Sequence, residues 1–273
     1  MAEYCLAHIV ERERSFGAFR RAQEQAMWSP AEDYSYRTLG ELRIGILGLG
    51  DIGAHVAATL RSCGCTDVHA LVRRPRSSTS SSCGDSSRSG DSGRSSSSSA
   101  AGGSNTRHDS GSGGDGTSGG GAGVTLHGAL PSLLRARCDY LINTLPSTRA
   151  TSGLLDGDTL AAACAPGGSA QQHQQLQQRA PVLINVGRGD VASEAALLRA
   201  LDAGWLSGAV LDVLPAEPLP RSSPLWRARG VTITPHVAAK STAADVARVF
   251  RENLRRHARG QPLLYTVDWD QGY

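Results

Sequence analysis

The chain has 273 residues, of which 40% are hydrophobic, and a formal net charge of +3; this length suffices for one substantial core. The charge is too small and too dispersed to indicate a nucleic-acid-binding protein, and no apolar run approaches the length of a membrane span. The six cysteines are scattered, with no second pair at zinc-ligand spacing. We therefore expect no metal site and a reducing, cytoplasmic compartment.

The first predicted element is a helix over residues 3–28, in which apolar side chains recur near helical spacing. A short apolar strand at 43–47 is followed by a glycine-rich turn and a helix over 52–62. A second strand is predicted at 68–72. The Ser/Gly-rich stretch 77–123 has too little apolar surface to offset the entropy of ordering it, so we interpret it as a disordered insertion.

Alternation of strands and helices resumes after this insertion and continues to the end of the chain. The predicted strands are 124–126, 140–145, 182–186, 206–213 and 231–234, and the predicted helices are 130–135, 155–164, 193–203 and 238–258. A second, Gln-rich insertion is predicted at 166–180. This alternation predicts a doubly wound parallel α/β sheet of the Rossmann type, with helices on both faces.

A glycine-rich turn joins the first predicted strand to the helix after it. It contains the G-x-G-x-x-G pattern as Gly48, Gly50 and Gly53, with Asp51 and Ile52 between the last two glycines. The first glycine permits a tight turn, the second lets a pyrophosphate approach the backbone, and the third lets the helix pack near the strand. We predict that these five residues contact a dinucleotide at the helix N-terminus.

The end of the second strand indicates which dinucleotide is bound. An NAD site usually has an acidic residue there, whereas this strand runs into Arg73 and Arg74. A guanidinium can bind a 2′-phosphate through a planar fork of donors, so we predict NADP, with NAD as the alternative. In the other interpretation, these arginines are simply the solvated start of the insertion.

Three further segments follow predicted strands, where ligands bind in this fold. The segment NVGRGD contains Arg188, LDVLPAEP contains Asp212 and Glu217, and TITPHVAA contains His236. A buried arginine would require an anion as partner. A carboxylate beside an imidazole favours its charged form and fixes its tautomer, which suits general acid–base chemistry. Each residue alone could be ordinary surface, but the combination after a dinucleotide loop indicates an active site.

These motifs carry a resemblance to a known family. The segments GLGDIG, LINTLPST, NVGRGD, LDVLPAEPLP and TITPHVAA resemble those of D-isomer-specific 2-hydroxyacid dehydrogenases. The phrases SPLW and HVAA and the ending VDWDQGY resemble its bacterial-type glyoxylate/hydroxypyruvate reductases. The resemblance covers residues 1–76 and 124–273. It implies hydride transfer between a nicotinamide cofactor and a small 2-keto or 2-hydroxy acid.

The resemblance also implies roles for individual residues. Arg188 would bind the substrate carboxylate and keto oxygen, His236 would protonate that oxygen, and Glu217 would hold His236 charged. Asp212 would contact the carboxamide end of the cofactor, and Thr148 would lie near the phosphates. The other residues implied in cofactor binding are Leu145, Pro146, Val186, Gly187 and Ala238, together with His236 itself.

The family architecture has a flavodoxin-like substrate domain before the interdomain helix. We expect residues 1–40 to be that helix and its linker, 41–260 to be the dinucleotide-binding domain, and 261–273 to be a tail. The substrate domain would then be largely missing, and Met1 would be an internal methionine of a longer protein, whose upstream part could carry an organelle signal. The resemblance further implies a homodimer.

Two other functions are compatible with the same motifs. Dehydrogenase-like corepressors of the C-terminal-binding-protein type keep the same Arg, Glu and His and act as dinucleotide-gated binding modules. The chain could also be an inactive remnant. Arg73 and the ending VDWDQGY favour the reductase.

Overall fold

A computed structural model describes residues 1–28, 36–73, 123–164 and 180–269. It contains one sheet of seven parallel strands in the order β3-β2-β1-β4-β5-β6-β7. The strands are β1 Arg43–Leu47, β2 Asp67–Leu71, β3 Val124–His127, β4 Tyr140–Asn143, β5 Val182–Asn185, β6 Gly208–Leu211 and β7 Val231–Ile233. The predicted doubly wound parallel sheet is therefore confirmed.

Six α-helices connect or flank the strands in the described ranges. They are α1 Ala2–Glu13, α2 Phe16–Glu24, α3 Asp51–Ser62, α4 Leu130–Arg135, α5 Glu194–Asp202 and α6 Ala243–Ala258. Short 3-10 turns lie at Leu39–Glu41, Thr159–Ala163, Gly189–Val191 and Pro224–Arg227. No helix in the described ranges is both long enough and apolar enough to cross a membrane.

Two helix predictions were wrong. The single helix predicted over 3–28 is two helices, because Ser15 adopts a left-handed backbone conformation with φ of 52° and starts α2. The Ser15 carbonyl accepts the Ala18 and Phe19 amides, at 2.9 and 3.1 Å, which makes Ser15 the N-cap of α2. The helix predicted over 155–164 is only the turn Thr159–Ala163, since tertiary contacts outweigh weak local helix preferences.

The core consists of two layers, one on each face of the sheet. On one face α1 and α3 contribute side chains such as Ile9 and Leu60. On the other face α4 and α5 contribute side chains such as Leu133 and Leu197. Strands β4, β5 and β6 are buried along their whole length. Covered on both faces, they read as continuous apolar runs in the sequence.

Helix α1 is held against the sheet by a polar network around Glu13. Arg37 donates to both Glu13 carboxylate oxygens, at 3.1 and 2.8 Å, and also pairs with Asp139. The Tyr140 hydroxyl donates to Glu13 Oε1 at 2.7 Å. Because Asp139 and Tyr140 lie at the start of β4, this network fixes the position of α1 on the sheet.

The segments predicted as insertions, 77–123 and 166–180, lie outside the described residues except for their last residues. Helix α6 has no buried residue, and its apolar side chains Val246, Phe250 and Leu254 are exposed. The predicted domain boundaries at 40 and 260 stay predictions.

Candidate functional site

The glycine-rich turn forms an open backbone cradle between β1 and α3. Gly48 has a φ of 94°, in the left-handed region that favours glycine. A Cβ atom at Gly53 would lie 2.0 Å from the Gly48 carbonyl oxygen, so helix α3 packs too closely for any side chain there. A Cβ at Gly50 would meet nothing within 4 Å. The cradle is therefore tightly packed at Gly53 and open to solvent space at Gly50, at the N-terminus of α3.

The loop after β4 forms one wall of this cradle. The Thr144 hydroxyl donates to the Gly48 carbonyl oxygen at 2.8 Å. A Cβ at Gly48 would lie 2.8 Å from Leu145 Cδ2. Strands β1 and β4 are neighbours, whereas the chain visits β2 and β3 between them. The cradle therefore lies at the point where the strand order reverses, which is where doubly wound folds bind ligands.

Two buried asparagines, which the sequence predictions did not include, hold the next loops in place. Asn143 and Asn185 are opposite each other in the register of β4 and β5. The Asn143 side chain donates to Asn185 Oδ1 at 2.9 Å, and the Asn185 side chain donates to the Arg188 carbonyl at 3.1 Å. Asn185 Oδ1 also accepts the Gly187 amide at 3.3 Å. The signal was present in the sequence, since both strands end in Leu-Ile-Asn.

Arg188 projects from the turn that these asparagines support. Its side chain is exposed and donates to the Gly187 carbonyl at 2.8 Å, and within the described residues no carboxylate pairs with it. A Cβ at Gly189 would lie 2.0 Å from the Leu214 carbonyl carbon. This close approach packs the arginine turn directly against the loop after β6, and leaves the guanidinium available for an anion.

His236 and Glu217 form a hydrogen-bonded pair beside that turn. Nδ1 of His236 lies 2.9 Å from Glu217 Oε2. Glu217 Oε1 accepts the Leu214 amide at 2.9 Å. These two hydrogen bonds, the backbone one first, lower the pKa of Glu217. The side chains are 57% and 38% exposed, and because Nδ1 faces the carboxylate, Nε2 is the ring nitrogen left to meet a substrate.

Asp212 organises the loop that carries His236. It is 2% exposed, and its carboxylate accepts the Val237 and Ala238 amides, each at 2.8 Å. It also accepts the Thr234 hydroxyl at 2.6 Å, and its carbonyl accepts the His236 amide at 3.0 Å. Asp212 therefore fixes the backbone on both sides of His236. Its predicted contact with the cofactor carboxamide stays a prediction.

A contact from α1 completes this network. The Tyr4 hydroxyl lies 2.6 Å from Thr234 Oγ1. Since Thr234 donates its own proton to Asp212, Tyr4 is the donor to Thr234. Burial raises the pKa of Tyr4 to about 12. Neither residue was predicted, and for Tyr4 the sequence offers no signal.

The other predicted cofactor residues lie at several depths around the cradle. Asp51 and Ile52 are exposed in the first turn of α3. Pro146 is half-buried, and the Thr148 amide donates to Thr151 Oγ1 at 2.9 Å within the turn that follows.

Three more of the predicted cofactor-binding residues differ sharply in exposure. Val186 and Ala238 are buried in the core beneath the loops. Arg73 is exposed just after β2 and has no hydrogen-bond or ion-pair partner in the part of the chain that the structure describes. Arg74 lies outside the described residues.

This arrangement fits a dinucleotide. The cradle at Gly50 leaves room for a pyrophosphate, and the first amides of α3 face that space. The guanidinium of Arg73 follows the neighbouring strand β2. Among the residues that the structure describes, no group of three His, Cys, Asp or Glu side chains could hold a metal ion.

Comparison with known sequences agrees with this geometry. The profile of the D-isomer specific 2-hydroxyacid dehydrogenase NAD binding domain matches residues 6–89 and 123–238. The glyoxylate/hydroxypyruvate reductase A of Salmonella newport is 30% identical over all 273 residues, which correspond to 69% of that protein. The Salmonella heidelberg protein of the same name is 31% identical over the same share.

Solved structures show the same likeness. A D-isomer specific 2-hydroxyacid dehydrogenase from Xanthobacter autotrophicus Py2, in complex with NADPH and MES, is 30% identical with a TM-score of 0.71, over 100% of this chain and 88% of that one. An NADPH-dependent glyoxylate/hydroxypyruvate reductase from Sinorhizobium meliloti, in complex with NADP and sulfate, is 26% identical with a TM-score of 0.72. In this second case the match covers 100% of this chain and 69% of the other.

Proposed function

The chain belongs to the D-isomer specific 2-hydroxyacid dehydrogenases, and we propose that it is an NADP-dependent reductase of small 2-keto acids such as glyoxylate or hydroxypyruvate. One observation carries the proposal. The loops after β1, β4, β5, β6 and β7 are joined by direct contacts at one edge of the sheet. Together these loops carry the dinucleotide cradle, the guanidinium of Arg188 and the pair formed by His236 and Glu217.

The imidazole–carboxylate pair supplies the proton. A nicotinamide cofactor, when bound, supplies the hydride. With its Nδ1 proton directed at Glu217, the charged imidazole of His236 can donate from Nε2 to the oxygen of the keto group as that oxygen gains negative charge. Glu217 accepts the Nδ1 proton and fixes the orientation of the ring.

The guanidinium of Arg188 orients the substrate. Arg188 lacks a carboxylate partner in the described ranges, and its planar fork matches a substrate carboxylate. The rigid turn between Gly187 and Gly189 restricts where that fork can point, because both glycines pack against neighbouring backbone. A 2-keto acid presents its carboxylate and keto oxygen side by side, so one guanidinium could contact both.

The choice of NADP rests on Arg73. The side chain comes two residues after the end of β2 and lacks a partner among the described residues. The residue at the place that reads a ribose 2′-hydroxyl is therefore basic and not acidic. The related structures from X. autotrophicus and S. meliloti contain NADPH and NADP. Glyoxylate and hydroxypyruvate are proposed as substrates because the Salmonella relatives are glyoxylate/hydroxypyruvate reductases.

The cofactor proposal is tested by calorimetric titration with NADPH and NADH. Arg73→Gln should weaken NADPH binding by about 10- to 100-fold, the loss of a charge-assisted hydrogen bond, and leave NADH binding within about twofold. Arg229→Gln, an exposed arginine on the loop before β7, is the matched control and should change neither. Equal affinity of the wild type for both dinucleotides would refute the preference for NADP.

The reaction is tested by following NADPH absorbance with glyoxylate or hydroxypyruvate. His236→Ala should lower kcat by at least about 100-fold, the usual contribution of a general acid, with NADPH affinity unchanged. If the wild type binds NADPH but shows no turnover above that variant, the enzyme proposal fails, and a dinucleotide-binding module becomes the better account.

A further inference from the structure

A chain of four side chains lies at the β3 edge of the sheet, on the face covered by α4. Asp67 Oδ1 lies 2.9 Å from His69 Nε2 on β2. His69 Nδ1 lies 2.8 Å from His127 Nε2 on β3. His127 Nδ1 lies 2.8 Å from the hydroxyl of Ser132 on α4. None of these residues belongs to the proposed dinucleotide site.

When both imidazole rings are neutral, the direction of every proton in this chain follows from its two ends. Asp67 is a carboxylate and only accepts; its other oxygen accepts Arg43 Nε at 2.7 Å. His69 Nε2 therefore carries a proton, and in the neutral ring Nδ1 is an acceptor. His127 must then donate from Nε2, which makes its Nδ1 the acceptor of the Ser132 hydroxyl proton. All of these hydrogen bonds therefore run from the serine to the carboxylate.

The two imidazoles are well placed for this relay. Their ring centroids are 5.1 Å apart with an interplanar angle of 32°. Combined with the N···N distance of 2.8 Å, this places the two nitrogens head-on between the ring centres. The His69 side chain is 13% exposed, so water competes little for its hydrogen bonds.

The surroundings favour the neutral, basic form of His127. Burial, followed by the nearby His69, lowers the pKa of His127, which favours the neutral ring that a general base requires. Among the described residues, the charged group bonded to the pair is Asp67 on β2, and Asp67 in turn forms an ion pair with Arg43 on β1. From α4 the facing group is Ser132, which is exposed.

We propose that Ser132 is a nucleophilic serine, activated by His127, His69 and Asp67, that accepts an acyl group from an activated ester. The Ser132 Oγ–acyl carbon bond forms, and the bond between that carbon and the leaving-group oxygen breaks. The Oγ proton passes to His127 Nδ1 and from there to the departing oxygen. This is the division of labour of a nucleophile, a base and groups that orient the base.

The geometry also limits the reactivity of this serine. The Ser132 and Leu133 amides both donate to the Ala129 carbonyl, so neither is free to stabilise an oxyanion. Reactivity then comes from general-base assistance alone, which contributes at least about 100-fold. We expect single acylation events rather than rapid turnover.

The experiment is acetylation of the whole chain by p-nitrophenyl acetate, with site occupancies followed over time by peptide mass spectrometry. Ser132 should be acetylated about 100-fold faster than Ser62, an exposed serine whose hydroxyl donates to the Thr59 carbonyl and has no histidine partner. The Ser132 rate should rise with pH as His127 loses its proton and then level off.

Two histidine variants separate activation from folding. His127→Gln and His127→Phe should both lower the Ser132 rate to that of Ser62, and added imidazole should restore part of it. Ser132→Ala should remove the fast site and leave the urea midpoint and NADPH affinity unchanged. The proposal is overturned if Ser132 reacts no faster than Ser62 in the wild type, or if a folded His127 variant keeps the fast rate.

Discussion

Asp212 should be the polar side chain on which the geometry of the site depends most. Its carboxylate accepts three hydrogen bonds, from the Thr234 hydroxyl and the Val237 amide at Oδ1 and from the Ala238 amide at Oδ2. It is 2% exposed, so no solvent can replace a partner that is lost. The conservative change Asp212→Asn preserves volume and shape, and it tests the hydrogen bonds alone.

The expected loss of stability follows from the three hydrogen-bond donors that face the Asp212 carboxylate. The amide oxygen of the asparagine should occupy the Oδ1 position, because that position serves two donors and the other only one. The amide nitrogen then faces the Ala238 N–H, and two buried donors oppose each other. An unsatisfied buried donor costs about 1–3 kcal/mol, and charge-assisted bonds are lost as well. We therefore expect Asp212→Asn to lower the free energy of unfolding by about 3 kcal/mol.

Urea denaturation followed by tryptophan fluorescence measures this loss. The control is Asp190→Asn, because Asp190 accepts the Ser147 hydroxyl at 2.6 Å at an exposed position, where water can replace the bond; we expect a loss below about 1 kcal/mol. Tyr4→Phe should fall between the two, since it removes only the outermost donor of the network. An Asp212→Asn protein as stable as the control would refute the role given to Asp212.

Two other predictions concern the cradle and the carboxylate beside the histidine. Gly53→Ala should weaken both folding and dinucleotide binding, because its Cβ would lie 2.0 Å from the Gly48 carbonyl oxygen. Gly50→Ala should weaken binding alone, because its Cβ would meet nothing within 4 Å. Urea denaturation measures the effect on folding, and calorimetric titration measures the effect on binding. Because the pKa of Glu217 is lowered in the folded state, its carboxylate stabilises the fold above an unfolded pKa of about 4.3 and loses this effect as pH falls through the folded pKa. Glu217→Gln should thus cost more stability at neutral pH than in acid, and a loss of equal size in both would contradict this.

The strands could be predicted because burial on both faces leaves a plain record in the sequence. Strand β1 lies where the apolar run at 43–47 placed it, and the glycines after it form the predicted turn. The helix predicted over 155–164 was wrong because local sequence alone does not decide whether a helix forms. The sequence at 155–164 is compatible with a helix, but only the turn Thr159–Ala163 forms, since tertiary contacts outweigh weak local preferences.

The site was predictable only in part, because some of its contacts depend on the register of the strands. Asn143 and Asn185 act together only since β4 and β5 align them, and Tyr4 reaches Thr234 across a sequence separation of 230 residues. His69 and His127 are brought together in the same way, by the pairing of β2 with β3. No local pattern contains this information.

The position of each chemical group, by contrast, follows from where a strand ends. Gly48, Asp212 and Thr234 each come directly after a strand, and Arg188 and His236 come three residues after one. In a parallel sheet all of these ends lie at one edge, so locating the strands is enough to bring the right residue types together. It is not enough to orient them: the ring of His236 is directed by Glu217, and its backbone by Asp212 from a different loop. The chemistry of such a site is therefore specified by local sequence, and its geometry by hydrogen bonds between loops.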